Sequence, residues 1–290
     1  MIEKTNPSSD VHFIVRVVDD FLFVSTQKEA VCRFITKVHS GLPVLGMNIN
    51  KEKSRCSFDF QSDSLGIAKT VSKGGNGNEY FSWCGLLFNT CTGAVHVDYE
   101  RFSTGRAVDS VVMNKSGSEG LGFLSKMRYF VQPRTLSILY DLRINTVHDI
   151  LLNYSQAIIL CAIKAHAYLS KMDDGYEKNP AFILSVIEST IDYFYSTIRL
   201  RLKGNRNAVE SVECIRQESP IVLFAKNFSR STAKWLGLHI FASTWAKILH
   251  NEHVAVLMIT NRYRRLSIRD VHSLRMITDE AMAIFDLICA

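Results

Sequence analysis

The sequence predicts an α+β protein in two parts, a small mixed piece followed by a helical domain. Three observations lead there. Short apolar runs punctuated by Gly, Asn and Asp fill the first hundred residues. After about residue 120, apolar residues recur at helical spacing instead. The chain has 290 residues, 47% hydrophobic and 21% charged, with only 5 prolines, which excludes a disordered chain and suffices for one large domain or two smaller ones.

The elements follow in order. The run "FIVRVVDDFLFV" (13–24) suits two strands that meet at Asp19 and Asp20. Thr26 and Glu29 form a capping-box pattern before a helix with Ala30, Val31, Phe34, Ile35 and Val38 on one face, and Gly41 supplies its stop. Short strands are expected near 46–49 and 57–60, then a Gly-rich loop over 72–79. "YFSWCGLLF" (80–88), the turn "NTCTG" and "AVHVDY" read together as a hairpin. "MNKSGSEG" marks the joint, dividing 1–112 from 113–290. Beyond it, Asn145 is placed to cap a helix running toward Lys171. Asn179 and Pro180 open a second helix that ends near Gly204. Further helical segments are expected over 221–249 and 268–288.

Composition narrows the function classes only slightly. A net charge of +6 and a pI of 8.9 suit a polyanionic partner without specifying one. The seven cysteines form no Cys-x-x-Cys pair, against a zinc ribbon or a thioredoxin-like site. They read as reduced, mostly buried thiols of an intracellular protein. "MIEKTNPSSD" is not a signal peptide, and the apolar stretch 157–169 is interrupted by Lys164 and His166 and is short for a bilayer. A soluble protein with no membrane partner is expected.

Asp19 and Asp20 are the residues that ask for chemistry. A surface turn would accommodate them, since aspartate is common in turns. Two-residue hairpin turns, however, favour positive φ and glycine, and neither acid is glycine. Adjacent carboxylates repel one another unless a cation lies between them. Mg²⁺ takes such hard oxygen ligands, and in two-metal phosphoryl transfer the ions stabilise attacking and leaving oxygens together.

The order of "VVDDFLFVS", "GLPVLGMNINKEKSRCSF" and "FSWCGLLFNTCTGAVHVDY" resembles motifs C, D and E of reverse transcriptases, specifically those of telomerase reverse transcriptase. The similarity continues through "KMRYF", "LYDLRINTVHDI", "AHAYL" and "KNPAFILSVIEST", which look like the C-terminal extension forming the thumb, and is clear to about residue 202. The resemblance implies the end of a reverse-transcriptase palm over 1–112 and a mostly α-helical thumb over 113–290. It implies RNA-templated addition of deoxynucleotides to chromosome 3′ ends, with Mg²⁺ as cofactor. The implied partners are the telomerase RNA, the telomeric DNA primer, deoxynucleoside triphosphates and the remainder of the catalytic subunit, in the nucleus.

Residue by residue, Asp19 matches the first metal-binding aspartate of motif C and Asp20 its neighbour. Lys53 matches the motif D lysine, a cation able to neutralise or protonate departing pyrophosphate; a solvated lysine beside Lys51 and Arg55 is the alternative. Trp83, Cys84, Gly85 and Leu86 match the primer grip, although Trp83 and Leu86 also suit a hairpin core. Asn114, Lys115, Lys126 and Arg128 match the thumb loop and helix that track the backbone of an RNA–DNA hybrid. Ser116, Ser118 and Glu119 depart from the more basic pattern of that loop.

Other features are weaker. His250, Glu252 and His253 lack a further ligand at metal-binding spacing, so a satisfied or exposed histidine pair is the plainer reading. The basic runs at 199–206 and 261–269 suit nucleic-acid contacts, a nuclear signal or a solvated helix face. Only eighteen residues precede Asp19, too few for the family's third metal-binding aspartate in motif A, so no polymerase activity is expected from these residues alone. The alternative is a non-catalytic protein that clamps RNA–DNA hybrid with a thumb-like domain.

Overall fold

The computed structural model describes residues 11–41, 49–62, 65–73, 77–102, 107–113, 119–172, 179–204, 219–251, 253–268 and 270–289. The chain divides into two compact units, Met1–Thr92 and Gly93–Ala290.

In the first unit, β1 (His12–Val17) and β2 (Asp20–Ser25) form an antiparallel hairpin with Val17 paired to Asp20. The turn is therefore Val18–Asp19, one residue earlier than the acid pair itself suggests, and Asp20 opens β2. Helix α1 (Lys28–His39) follows. Its N-cap is Gln27 and makes no side-chain cap bond. Thr26, expected to cap it, exchanges bonds with Val11 instead: Thr26 Oγ1 accepts from the Val11 amide at 3.3 Å and lies 3.4 Å from its carbonyl. The Thr26 hydroxyl thus closes the open end of the hairpin. Gly41, at φ 79°, takes the left-handed conformation that ends a helix.

Strands β3 (Phe60–Ser62) and β4 (Leu65–Ile67) make a second hairpin. The strand expected near 46–49 falls largely outside the described residues. A small core joins Ile35 of α1 to Cys56, Phe60, Leu65 and Ile67, with Val31, Cys32 and Phe58 against it. Phe23 stacks on Phe34 at 4.4 Å, which seats one face of the first hairpin on α1. Its other face is open at Phe13, Val17 and Val24, and Ile14 and Phe21, which share the face of Phe23, are exposed as well.

Strands β5 (Ser72–Lys73), β6 (Glu79–Trp83) and β7 (Leu86–Asn89) pair antiparallel. Trp83 faces Leu86 across a two-residue turn, so "YFSWCGLLF" is itself a hairpin rather than a single strand. The cause is local. Cys84 and Gly85 both have positive φ, 50° and 76°, as a type I′ turn requires.

The second unit begins with β8 (Val95–Val97), and Val95, Ala107 and Val111 are buried within it. The second compact unit thus starts about twenty residues before the joint that composition suggests. The helices are α2 (Glu119–Val131), α3 (Val147–Leu169), α4 (Pro180–Gly204), α5 (Pro220–Asn227), α6 (Arg230–Leu249), α7 (Val254–Arg264), α8 (Val271–Ala281) and α9 (Ala283–Cys289). Helix α3 packs against α2, α6 and α8, while α4 packs against α2, α6 and α7.

Helix α3 is long and apolar enough to cross a membrane by length and composition, yet it lies mostly buried as the central helix of this unit. Thr146 caps it, in a reciprocal capping box with Asp149. Asn145, the expected cap, points elsewhere: its Oδ1 accepts from the Val95 amide at 2.7 Å and its Nδ2 donates to the Ile138 carbonyl. The segment expected as one helix over 221–249 is two, because Phe228 leaves helical geometry and Ser229 caps α6.

Aromatic rings fill the middle of the unit. Tyr154 stacks on Phe194 at 4.9 Å and meets Phe228 edge-on at the same distance, with its hydroxyl donating to the Ala233 carbonyl. Trp245 is fully buried and donates from Nε1 to the Ala162 carbonyl at 2.9 Å. Gly237 lets α6 approach α4 closely: a Cβ there would stand 2.8 Å from Ile191 Cδ1.

Candidate functional site

The acid pair stands at the tip of the first hairpin. Val18, in the turn, has φ 54°, a conformation in which a β-branched residue is strained. A positive φ at only the first central residue is the pattern of a type II′ turn, whose usual occupant there is glycine. Arg16 compensates: its Nε donates to the Val18 carbonyl at 2.6 Å and its guanidinium lies 5.3 Å from the Phe21 ring centroid. The lone arginine of the apolar run therefore ties the turn that presents Asp19, a role the sequence alone does not announce. Both carboxylates are exposed.

Cys84, in the turn between β6 and β7, reaches this tip. Its Sγ donates to Asp20 Oδ2 at 3.7 Å, across 64 residues of sequence. Burial first, then the charge of Asp20 and its hydrogen bond, raises the Cys84 thiol above the ordinary cysteine range and keeps it protonated. Trp83 and Leu86 flank the turn as a half-buried pair, with Trp83 6.5 Å from Phe88. Trp83 Nε1 is buried without a partner among the described residues. Cys84, Cys91 and Cys289 are exposed, which corrects the expectation of mostly buried thiols; Cys56 and Cys161 are buried.

Lys53 is exposed in a turn after α1. The turn is internally bonded: Asn50 Oδ1 accepts from the Glu52 amide at 2.9 Å, and the Ser54 amide donates to the Lys51 carbonyl. Ser54 Oγ donates to the Asn50 carbonyl at 3.0 Å and also meets His39 Nε2 at 3.0 Å.

In the helical unit, Lys126 and Arg128 lie on α2. Phe123, Met127, Phe130 and Val131 turn inward, with Phe123 stacked on Tyr168 at 5.5 Å. The opposite side carries an open groove lined by Leu121, Leu124, Ser125, Arg128, Tyr129 and Gln132. Lys126 lies over Tyr129 at 5.9 Å, and the Arg128 guanidinium lies 5.4 Å from the Tyr193 centroid. Tyr129 and Gln132 escaped the sequence reading, although their spacing from Ser125 and Arg128 places them on one helix face. Asn114 and Lys115 lie outside the described residues.

Asp19 and Asp20 suit a divalent ion by chemistry. Among the described residues, no group of three or more His, Cys, Asp or Glu side chains could hold a metal. Two carboxylates still fit Mg²⁺, which is commonly held by one or two carboxylates and completed by water and substrate phosphates. His253 caps α7 through Nδ1, accepting from the Ala255 amide, and Glu252 lies outside the described residues.

The comparisons with known proteins converge. The family model for the telomerase reverse transcriptase C-terminal extension matches residues 123–258. Telomerase reverse transcriptase of Canis lupus familiaris is 27% identical over 233 residues, covering 79% of this chain and 19% of that protein. The Oryza sativa subsp. japonica enzyme is 27% identical over 232 residues, with 80% and 17% covered. That of Arabidopsis thaliana is 26% identical over 190 residues, with 66% and 17% covered. The chain thus spans about a fifth of the length of the curated relatives it matches. It is related to the telomerase reverse transcriptases, through the C-terminal extension that the family model describes.

Proposed function

We propose that this chain supplies part of the catalytic palm and the thumb of a telomerase, an RNA-directed DNA polymerase that extends chromosome 3′ ends in the nucleus. The observation that carries the reading is the approach of Cys84 to Asp20. It joins two segments that the sequence resemblance assigns separately, one to the metal-binding acids and one to the primer grip.

Asp19 and Asp20 would hold Mg²⁺, which when bound neutralises charge on the nucleotide phosphates. The turn at Cys84 and Gly85 would set the primer 3′-hydroxyl beside the acids; glycine there permits close approach of a sugar–phosphate backbone. The hydroxyl oxygen, giving up its proton to water, bonds to the α-phosphorus of the incoming nucleotide as the bond from that phosphorus to pyrophosphate breaks. Lys53, a cationic donor, would pass a proton to the departing pyrophosphate oxygen. Lys126, Arg128 and Tyr129 on α2 would grip the RNA–DNA hybrid through its backbone, without reading sequence. Two carboxylates are short of the three the family uses, so the 290 residues alone are not expected to polymerise.

The test is primer extension by a reconstituted polymerase complex that contains this chain. Asp19→Ala should abolish nucleotide addition while leaving hybrid binding within a few-fold of the parent. Retained processive synthesis by Asp19→Ala would refute the assignment. Hybrid binding by the chain with no catalytic contribution from Asp19 in any complex would favour a clamp without chemistry.

A further inference from the structure

We propose that His39, at the C-terminal end of α1, is a positioning residue for Lys53: by bonding Ser54 it fixes the turn over 50–54 and thereby the place of the lysine. The inference rests on the polymerase reading above and adds a residue that no motif contains.

Proton counting sets the direction of the bond. Ser54 has one hydroxyl proton, and its Oγ directs that proton to the Asn50 carbonyl at 3.0 Å. Toward His39 the same oxygen can only accept, so the Nε2 nitrogen 3.0 Å away carries the hydrogen. A neutral ring then leaves Nδ1 bare. That atom is buried and has no hydrogen-bond partner among the described residues. A second proton on it would be a buried cation with no acceptor, facing Lys51. Burial first, and Lys51 second, accordingly hold His39 below the ordinary histidine range.

The turn is thus anchored from outside as well as within. The Asn50 side chain and the Lys51 carbonyl hold the Glu52 and Ser54 amides on either side of Lys53. His39 links this unit of backbone to α1, whose Ile35 sits in the small core of the first unit. An exposed lysine gains a defined origin by this means, and a donor acting on a phosphate oxygen needs one.

Because the folded-state value is depressed, the stability that the neutral ring contributes is complete above the ordinary histidine range near pH ~6.5 and is lost as pH falls through the lower folded value, although the Nε2–H donor to Ser54 is present in either form.

The experiment has two arms. In the 290-residue chain, ¹⁵N-histidine NMR at pH 7 should show His39 as the neutral tautomer protonated on Nε2. Amide exchange at Glu52, Lys53 and Ser54 should quicken roughly fivefold to tenfold in His39→Ala and in Ser54→Ala, the loss of one hydrogen bond. His39→Gln, which keeps a donor, should recover most of the protection. In a polymerase complex containing the chain, His39→Ala should lower kcat with little change in KM, and should cost nothing further when Lys53 is already Ala. Unchanged exchange in His39→Ala overturns the latch. Faster exchange with normal kcat, where Lys53→Ala is slow, overturns the positioning role and leaves the polymerase reading standing. A Lys53→Ala variant with normal kcat removes the lysine role itself, and this inference with it.

Discussion

Aromatic side chains fill the core of the helical unit, whereas the leading hairpin of the first unit displays two of its own. Tyr140, Tyr154, Phe194, Phe224, Phe228 and Trp245 are fully enclosed, whereas Phe13 is 54% and Phe21 40% exposed. Among the described residues, the core of the first unit is four buried side chains around Ile35, and its leading hairpin rests on α1 through the stacked Phe23–Phe34 pair. Strands with so little buried area open more readily than helices packed on several sides. The candidate chemistry sits on the less buried unit, where backbone geometry is fixed by local devices: the Arg16 bond to the turn, the Thr26 closure and the His39 latch. The groove that would hold nucleic acid is backed by the buried side chains of Phe123, Met127, Phe130 and Val131.

That contrast can be broken most sharply from the helical side. Trp245→Ala should cost about 3–5 kcal/mol, because it empties a filled site and removes the Nε1–H bond to the Ala162 carbonyl. Chemical denaturation followed by the thiol reactivity of Cys161 would show it. That thiol is enclosed, with its pKa pushed up to about 12 by burial, so it reports opening of this unit. Cys56, buried in the other core, should keep its parent labelling profile. Gly237→Ala is expected to cost about 1–3 kcal/mol in the same assay, since its methyl group would press on Ile191 at the α4–α6 contact.

Acid should act on the helical unit through Asp149. Burial works against its charge, but hydrogen bonds from His96 and from Thr146 outweigh that and hold the carboxyl well below the usual carboxylate range. The stability it contributes is therefore complete above the unfolded value of ~3.9 and fades as pH falls toward the folded one. Asp149→Asn should flatten that acid limb in a pH series of denaturation midpoints. On the hairpin side, Val18→Gly should raise stability by roughly 0.5–1 kcal/mol, as it relieves a positive φ that glycine tolerates. Slower amide exchange in β1 and β2 would register it.

What was legible in the sequence follows from how local each cause is. The Asn179–Pro180 start and the Gly41 stop were readable because cap chemistry is local; Asn179 Oδ1 indeed accepts from the Phe182 amide. Asn145 and Thr26 were misread for the opposite reason. Each has a cap-forming side chain, but a tertiary partner took it: Val95, 50 residues away, for one and Val11 for the other. The bend in "YFSWCGLLF" was hidden because Cys84 adopts a positive φ that its type does not advertise. At the site, Asp19, Asp20 and the grip residues were named from motif order, while Arg16, His39 and Tyr129 were not. Arg16 and His39 act through contacts that no spacing rule encodes, whereas Tyr129 shares a helix face with Ser125 and Arg128 that helical spacing does encode.

A thumb that grips an RNA–DNA hybrid must offer a nucleic-acid surface on α2. Fluorescence anisotropy of a labelled RNA–DNA hybrid, titrated with the 290-residue chain over a series of salt concentrations, measures this. The log of the association constant should fall linearly with log salt, and Lys126→Ala and Arg128→Ala should each weaken binding and lower the slope by about one. Binding that ignores salt, or that both substitutions leave untouched, would contradict a nucleic-acid grip by α2.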